Sequence, residues 1–589
     1  MKLCHKFLAT IPLLFLLAQN ANSNGSATND SWPGENLATF RNLKVASSKK
    51  YMVATADELA SKAGQAMIEQ GGSAVDAAIA AQLVLNVVEP HSSGIGGGGF
   101  LLYYNAKTTQ TTYFNGRETA PAGSYSTMFL DKATGKAREF NDVVRGGLSV
   151  GTPGLLKMFK EAHDKYGKLP WATLFEPAIE AARKGFIVNE RMQILSKQIS
   201  YLKDFDEAAE IYLNKDKKPR LAGELIANPK MAATLETLAQ EGIDPFYKGQ
   251  IAKDIVAAVR NSKINPGTLS LNDLKNYQVK TGDLICGTYR VKYKVCSMPL
   301  PSSGGITLLQ ILGILENFDL QNLNPNSKEA IHLIAEASRL AYADRNEYIA
   351  DIDNVPVAQM LDKLYLRQRS KLIRTTRAIA KITPGKFANS AAFANKLAKV
   401  KAVEPPSTTH ISIIDEDGNA VSLTTSIEYF FGSALSVDGF MLNNQLTDFA
   451  LTPFANGKYV ANRLRAGKQP RSSLTPTLVF DQNDKLLMVV GSPGGPRITQ
   501  FTLKAILNHL DWKMDIQEAI SAPNFVALNG AIELEEKTAV AKLKPQLEEM
   551  GHKVRVIDIV SGIHAITVEP NRELKGGADP RRNGVAIGK

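Results

Sequence analysis

The run Glu404-Pro405-Pro406-Ser407-Thr408-Thr409-His410 is where this chain could hold a nucleophile. A Pro-Pro break precedes it, and His410 to Asp415 reads as a strand, so the hydroxyls stand at a strand's entry. A threonine hydroxyl is a weak nucleophile without an adjacent base, and one solution uses the free α-amino group of the same residue. That chemistry requires the chain to be cut just before the threonine. Spacing alone is also met by a plain polar strand start.

Other patterns fall away on context. Gly94, Gly96 and Gly99 have the spacing of a dinucleotide-binding loop, but that motif follows a strand and opens a helix. Here a helical pattern precedes and an apolar strand, Leu101 to Tyr104, follows, so these glycines let the backbone pass close to something else. Gly467-Lys468 lacks the spacing of a phosphate loop, and the eight His form no ligand cluster, so neither a cofactor nor a metal is expected.

The elements that must position these residues show in the periodicity. Helical patterns cover Asp57 to Gln70, Ser73 to Val88, Leu155 to Tyr166, Thr173 to Lys184, Ala232 to Gln240, Gln250 to Asn261, Ile306 to Asn317 and Lys328 to Tyr348. Strand patterns cover His410 to Asp415, Ala420 to Thr425, Leu474 to Phe480 and Leu486 to Val490. A helix-rich first part and a strand-rich second part imply mixed layers. Between them, Cys286 and Cys296 flank a segment that alternates in part, and a reversal near Val291 sets the two sulfurs opposite each other; two buried thiols are the alternative.

With 589 residues, 44% apolar and 22% charged, the composition excludes disordered, collagenous and coiled-coil chains. Lys2 and Lys6, the apolar run Phe7 to Ala18 and Ala21-Asn22-Ser23 read as a secretory signal over residues 1–23, which makes the protein exported, periplasmic or secreted. The apolar run is too short to span a bilayer, and no later segment qualifies, so no stable membrane span is expected. The formal charge of +11 concentrates between Arg367 and Lys401, which holds ten Lys or Arg and no acidic residue. Only Phe387 and Phe393 interleave with that charge, too few for stacking on nucleic acid, so the stretch reads as solvated and mobile and no nucleic-acid partner is expected.

Thr408-Thr409-His410-Ile411-Ser412, with Gly418 to Glu428 and Phe431-Gly432, closely resembles the small-subunit signature of the gamma-glutamyltransferases. Glu89 to Phe100, Gly116 to Pro121, Pro299 to Gly305, Leu442 to Phe449, Pro470 to Thr477, Gly491 to Gly495 and Ala578 to Arg582 resemble further blocks of that family in its order, from about residue 45 to the C-terminus. The resemblance implies an α+β fold, the four-layer αββα sandwich of the N-terminal nucleophile hydrolases. It implies cleavage between Ser407 and Thr408 into a large subunit, 24–407, and a small subunit, 408–589, that stay together as a heterodimer. Thr408 then attacks a γ-glutamyl amide, glutathione or another donor, its α-amine takes the proton, and the γ-glutamyl ester passes to water or to an amino acid or peptide.

Each further role comes from the same resemblance, and each has a plainer reading. Gly494 and Gly495 aim N–H groups at the oxyanion, or form an ordinary turn. Arg117, after the hairpin signal Asn115-Gly116, binds the donor's α-carboxylate, or pairs with Glu118. Ser472 and Ser473 add hydroxyls to that carboxylate, or cap a strand. Asp448, with Gln445 and Glu428, accepts from the donor's α-ammonium, or sits in a turn. Ser426 stands where the family usually has Thr and hydrogen-bonds the nucleophile. Glu428 replaces the Asn of many members, and the stretch from Asp448 to Ser472 is shorter than in members with a lid. Two alternatives follow: an acylase acting on glutaryl or cephalosporin side chains, and a processed but inactive surface protein that binds amino acids.

Overall fold

The structure, a computed structural model, describes residues 40–387, 397–398 and 407–589. The expected signal segment 1–23 and the basic residues Lys396, Lys399 and Lys401 lie outside them. Two seven-stranded antiparallel sheets dominate. In the first the order is Val585–Gly588, Met52–Thr55, Thr409–Ile414, Ala420–Ser426, Gly98–Tyr104, Thr111–Asn115, Lys280–Gly282. In the second it is Ala46–Ser48, Leu574–Ala578, His564–Val568, Leu486–Gly491, Thr477–Asp481, Tyr293–Ser297, Ile285–Tyr289.

The sheets touch through Thr409–Ile414 and Ala420–Ser426 on one side and Leu486–Gly491 and His564–Val568 on the other. Met52, Phe100, Leu102, Ile414, Leu478, Val489 and Ile566 fill the space between them. Strands buried on both faces lose the polar alternation that marks a half-exposed sheet, and Thr409–Ile414, Ala420–Ser426 and Gly98–Tyr104 are buried at every position. Helices Glu58–Glu69 and Ala74–Val88 lie against the first sheet, and Gly304–Leu315, Ile498–Leu510 and Ile516–Ser521 against the second.

Ala74–Val88 shows how sequence sets position. Ser73 and Asp76 form a capping box that starts the helix, and every residue of it is buried because its small Ala-rich surface packs close to the strands. Its one central polar side chain, Gln82, accepts from Thr425 Oγ1 at 2.6 Å and donates to Ser93 Oγ at 2.8 Å, tying the helix to both a strand and the glycine-rich loop. The glycines of that loop serve close approach, as expected: a Cβ on Gly96 would lie 2.2 Å from Met441 O, and one on Gly97 2.3 Å from Ser426 O.

The expected helices form within a few residues of their expected bounds, with the first turn of Thr173 to Lys184 wound as a 3₁₀ segment, Trp171–Phe175. Cys286 and Cys296 face each other in the register of Ile285–Tyr289 and Tyr293–Ser297 and are disulfide-bonded, with Arg290 and Val291 at positive φ in the reversal.

Two expectations are corrected. Asn115-Gly116 is not a hairpin turn: Asn115 Oδ1 accepts the Arg117 N–H at 2.9 Å, a local turn that sends the chain away from its strand partner. In the described first part of the basic stretch Arg367, Lys371, Arg374, Arg377, Lys381 and Lys386 are exposed as expected, and the correction concerns Arg369, which is buried. Arg369 Nη2 donates to Thr383 O at 2.9 Å and pairs with Asp344 at 3.4 Å, and Ile379 N donates to Glu336 Oε2 at 2.6 Å. Asp344 and Glu336 are buried on Lys328–Tyr348, and a buried carboxylate needs partners, which this stretch supplies.

Candidate active site

Thr408 stands immediately before Thr409–Ile414, whose partner Ala420–Ser426 runs back beside it with Thr409 opposite Thr425. That pairing brings Ser426, at the end of its strand, to the Thr408 side chain: Thr408 Oγ1 donates to Ser426 Oγ at 3.1 Å. Ser426 Oγ also donates to the Ser407 carbonyl at 3.0 Å, and Thr408 Oγ1 contacts the same carbonyl oxygen. Ser407 is fixed by its own hydroxyl, which donates to His91 O at 2.6 Å. Both residues are buried.

His91 belongs to the loop after Ala74–Val88, and Arg191 anchors that loop by donating to His91 Nε2 at 2.5 Å and Ser92 Oγ at 3.1 Å. Burial, then the cations Arg191 and Arg582, hold His91 well below its ordinary value, so it is a neutral imidazole.

Gly494 and Gly495 have φ of 134° and 58°, and a Cβ on Gly494 would lie 2.6 Å from the Phe501 ring. The turn is thus closed to other residues. It begins next to the nucleophile strand, because Gly491 leaves room for the His410 ring, which would stand 2.3 Å from a Cβ there.

The residues expected to grip a donor converge at the other side. Arg117 Nη2 donates to Asp448 Oδ2 at 2.5 Å, and Gln445 Nε2 donates to the same oxygen at 2.7 Å. Arg117 is therefore paired with Asp448 and not with Glu118. Glu118 is fully buried, and neither of its oxygens has a hydrogen-bond partner among the described residues. Desolvation pushes its carboxyl up to about 8 against the pull of Arg117, which makes it a neutral acid at pH 7.

Glu428, at φ 81°, donates its N–H to Ser426 Oγ at 2.9 Å and accepts from Asn444 Nδ2. Burial first, and then the Asp448 charge, raise its carboxyl well above the usual range. A pair of negative charges from Glu428 and Asp448 is therefore not what this pocket holds. Ser472 Oγ accepts the Leu474 N–H at 3.1 Å, a local turn ahead of the strand Thr477–Asp481, and Ser473 Oγ accepts from Arg345 Nη2 at 2.7 Å.

Residues 60–589 match the family model described as gamma-glutamyltranspeptidase. The chain belongs to the gamma-glutamyltranspeptidase family. It is 37% identical to the glutathione hydrolase proenzyme of Bacillus subtilis (strain 168), covering 92% of each chain. It is 33% identical to the acylase ACY 1 proenzyme of Pseudomonas sp. (strain SE83), over 92% of this chain and 94% of that one. Among solved structures, the cephalosporin acylase from Bacillus halodurans superposes with a TM-score of 0.81 at 27% identity, over 93% of this chain and 97% of that one.

The residues of this site to which the sequence reading gave no functional role are Arg345, Glu118, Arg191 and Arg582. Arg345 left a signal: it lies four residues after Ala341 and three before Tyr348, on the buried stripe of Lys328–Tyr348. A cation on such a stripe needs polar partners, and these include Ser303 Oγ at 2.9 Å, Asn346 Oδ1 at 3.1 Å and Ser473 Oγ. Arg582 stands inside the block Ala578 to Arg582 already matched to the family, and only the fold carries it to Thr408, whose carbonyl accepts from its Nη1 at 3.3 Å.

Proposed function

We propose that the protein is an exported N-terminal nucleophile hydrolase of the four-layer αββα type, which cuts itself between Ser407 and Thr408 and then transfers or hydrolyses γ-glutamyl groups. The observation that carries this reading is Thr408 Oγ1 in contact with the Ser407 carbonyl while Ser426 Oγ donates to that same carbonyl. Among the described residues no helix is long and apolar enough to cross a membrane.

In maturation, Thr408 Oγ1 adds to the Ser407 carbonyl carbon and the Ser426 hydroxyl stabilises the oxyanion. Collapse breaks the C–N bond and leaves an ester and a free Thr408 amine. Water then hydrolyses the ester, releasing the Ser407 carboxylate and restoring the Thr408 hydroxyl. The products are subunits 24–407 and 408–589, joined as a heterodimer by the strand pairing of Thr409–Ile414 with Met52–Thr55.

In turnover, Thr408 Oγ1 attacks the γ-carbonyl of glutathione or a related donor and its α-amine accepts the proton. The N–H groups at Gly494 and Gly495 receive the oxyanion, and the amine returns the proton to the leaving group. Water, an amino acid or a peptide then takes the γ-glutamyl group. Arg117 exchanges Asp448 for the donor's α-carboxylate, joined there by Ser472 and Ser473, while Asp448 and Gln445 take the α-ammonium. Glu428 contributes as a neutral acid.

The test is N-terminal sequencing of the purified fragments followed by competition between γ-glutamyl and glutaryl anilides. A small fragment beginning at Thr408 and a preference of at least about 10²-fold for γ-glutamyl are expected, since a site built to pair a polar group rejects an analogue lacking it. A fully active uncut chain sinks the mechanism. The likeness to the cephalosporin acylase supports a second reading, and equal rates on the two donors would select it.

A further inference from the structure

Arg582 brings a permanent charge to the backbone of Thr408, at a spot the proposed reaction leaves without a role. Its Nη1 lies 3.3 Å from Thr408 O and its Nε 3.1 Å from Ser561 O, and the side chain is buried. A turn holds it in place. Asp579 O accepts the Arg582 N–H at 3.1 Å, and Asp579 Oδ2 accepts from Ser561 Oγ at 2.6 Å and Ile563 N at 3.0 Å, so turn and loop are one unit. A guanidinium does not titrate in the working range of an enzyme.

The carbonyl oxygen and the nitrogen of one residue are separated by three bonds, so the charge lies about 6 Å from the nitrogen that cleavage would free. At that range and an effective dielectric of about 20 to 40, a cation lowers the proton affinity of an amine by about one to two pKa units.

Other ionisable groups surround Thr408. On the loop before the glycines stand Glu89, paired with Arg191 at 3.5 Å, and His91. Past Ser426 stands Glu428, and behind the strand lie His410 and His564. On the Arg582 turn, Asp579 is paired with Arg581 at 3.2 Å. His91, His410 and His564 are held neutral by burial, and Glu428 is held neutral by burial and Asp448. Arg582 also depresses His91, which places its field at this end of the site, while at His564 the opposing Asp579 charge outweighs it.

We propose that Arg582 is a positioning charge that lowers the proton affinity of the Thr408 α-amine, keeping it a free base near neutral pH. This rests on the proposed cleavage before Thr408. An ordinary α-amine titrates near 7.7 to 8.0 and would be mostly protonated, hence inert as a base, at pH 6 to 7.

The test uses the full-length protein, its Arg582→Gln variant and its Arg582→Lys variant, each checked for a fragment starting at Thr408. The kcat/KM on γ-glutamyl-p-nitroanilide is measured from pH 5 to 9, where the acid limb reports the base of the free enzyme. Ratios of variant to parent cancel the ionisation of the donor. For Arg582→Gln the acid limb is expected to move up by about one unit or more, a loss of about tenfold at pH 6 that narrows by pH 9. For Arg582→Lys, which keeps the charge, the limb is expected to stay within about a third of a unit of the parent.

A uniform loss at every pH, an equal shift in both variants, or an Arg582→Gln chain that never self-cleaves would each overturn the proposal. The last does so because the charge is assigned to an amine that exists only after cleavage. An uncut but active parent would instead refute the nucleophile assignment itself, which keeps the two failures apart.

Discussion

Replacing Asp448 by Asn separates the exchange of partners from simple crowding of charge. The Arg117 guanidinium and the Asp448 carboxylate pair at 2.5 Å, with both side chains buried. In the proposed roles, a γ-glutamyl donor splits this pair and returns a partner to each half. A glutaryl donor returns a partner only to Arg117. Stranding one member of a buried pair costs about 3 to 5 kcal/mol, and the 2.7 Å bond from Gln445 offsets part of it, so the parent should prefer γ-glutamyl donors by about 10²-fold or more. In Asp448→Asn the charge-assisted bond to the ammonium is lost, worth about 1.5 to 3 kcal/mol, which lowers kcat/KM on γ-glutamyl anilides about ten- to a hundred-fold. On glutaryl anilides the same change should raise kcat/KM, because nothing anionic is left stranded. The preference should fall below about tenfold. The assay is kcat/KM on the matched pair of anilides, with self-cleavage and the melting temperature confirming that the variant folds. An undiminished preference in Asp448→Asn would refute the exchange.

Three further perturbations bear on neighbouring groups. Ser426→Ala removes the donor to the Ser407 carbonyl and should slow self-cleavage about 10²-fold, followed as loss of the full-length band on gels; unchanged kinetics would remove Ser426 from maturation. Glu428→Gln keeps the shape of a neutral acid and should retain kcat/KM within about threefold, whereas a loss near that of Asp448→Asn would show that a charge acts there. Glu118 has its folded value raised to about 8, so it binds a proton on folding at neutral pH. Its contribution is complete below the unfolded value near 4.3 and is lost as pH rises toward 8, by about 1.4 kcal/mol per pH unit. The melting temperature of Glu118→Gln should therefore fall less than the parent's between pH 5 and 8, and parallel falls would contradict the buried neutral acid.

Helices such as Leu155–Tyr166 and Lys328–Tyr348 were legible because one face repeats at helical spacing, and Thr409–Ile414 because a Pro-Pro break marks its start. The short strands Met52–Thr55 and Leu574–Ala578 were not, since four or five residues buried on both faces carry no alternation and two of the second strand's residues are glycine. At the site, the family blocks name Arg117 and Asp448 but cannot say that the fold pairs them. That contact joins residues 331 positions apart and depends on the Asn115 turn that redirects the chain. The neutrality of Glu428 and Glu118 was equally hidden. Sequence shows a carboxylate, and only the density of the packed surroundings shows that it cannot stay ionised.

That hidden protonation changes what selectivity rests on. With Glu428 and Glu118 neutral, Asp448 is the anion set against Arg117 at the donor's amino-acid end, and Arg345 adds a cation behind Ser473. The amino-acid end of a γ-glutamyl donor is itself a cation and an anion that cancel. Exchanging one pair for two crossed pairs leaves the buried charge count balanced, and each ion gives up its water for an opposite charge. A glutaryl end brings a carboxylate for Arg117 but no cation for Asp448, which is left without its partner in a pocket where burial disfavours anions. In the proposed roles, the preference expected for γ-glutamyl donors comes from matched charge between site and ligand, and adding acidic residues would not by itself increase it. A second anion near Asp448 takes up a proton, as Glu428 does, before it can hold an ammonium.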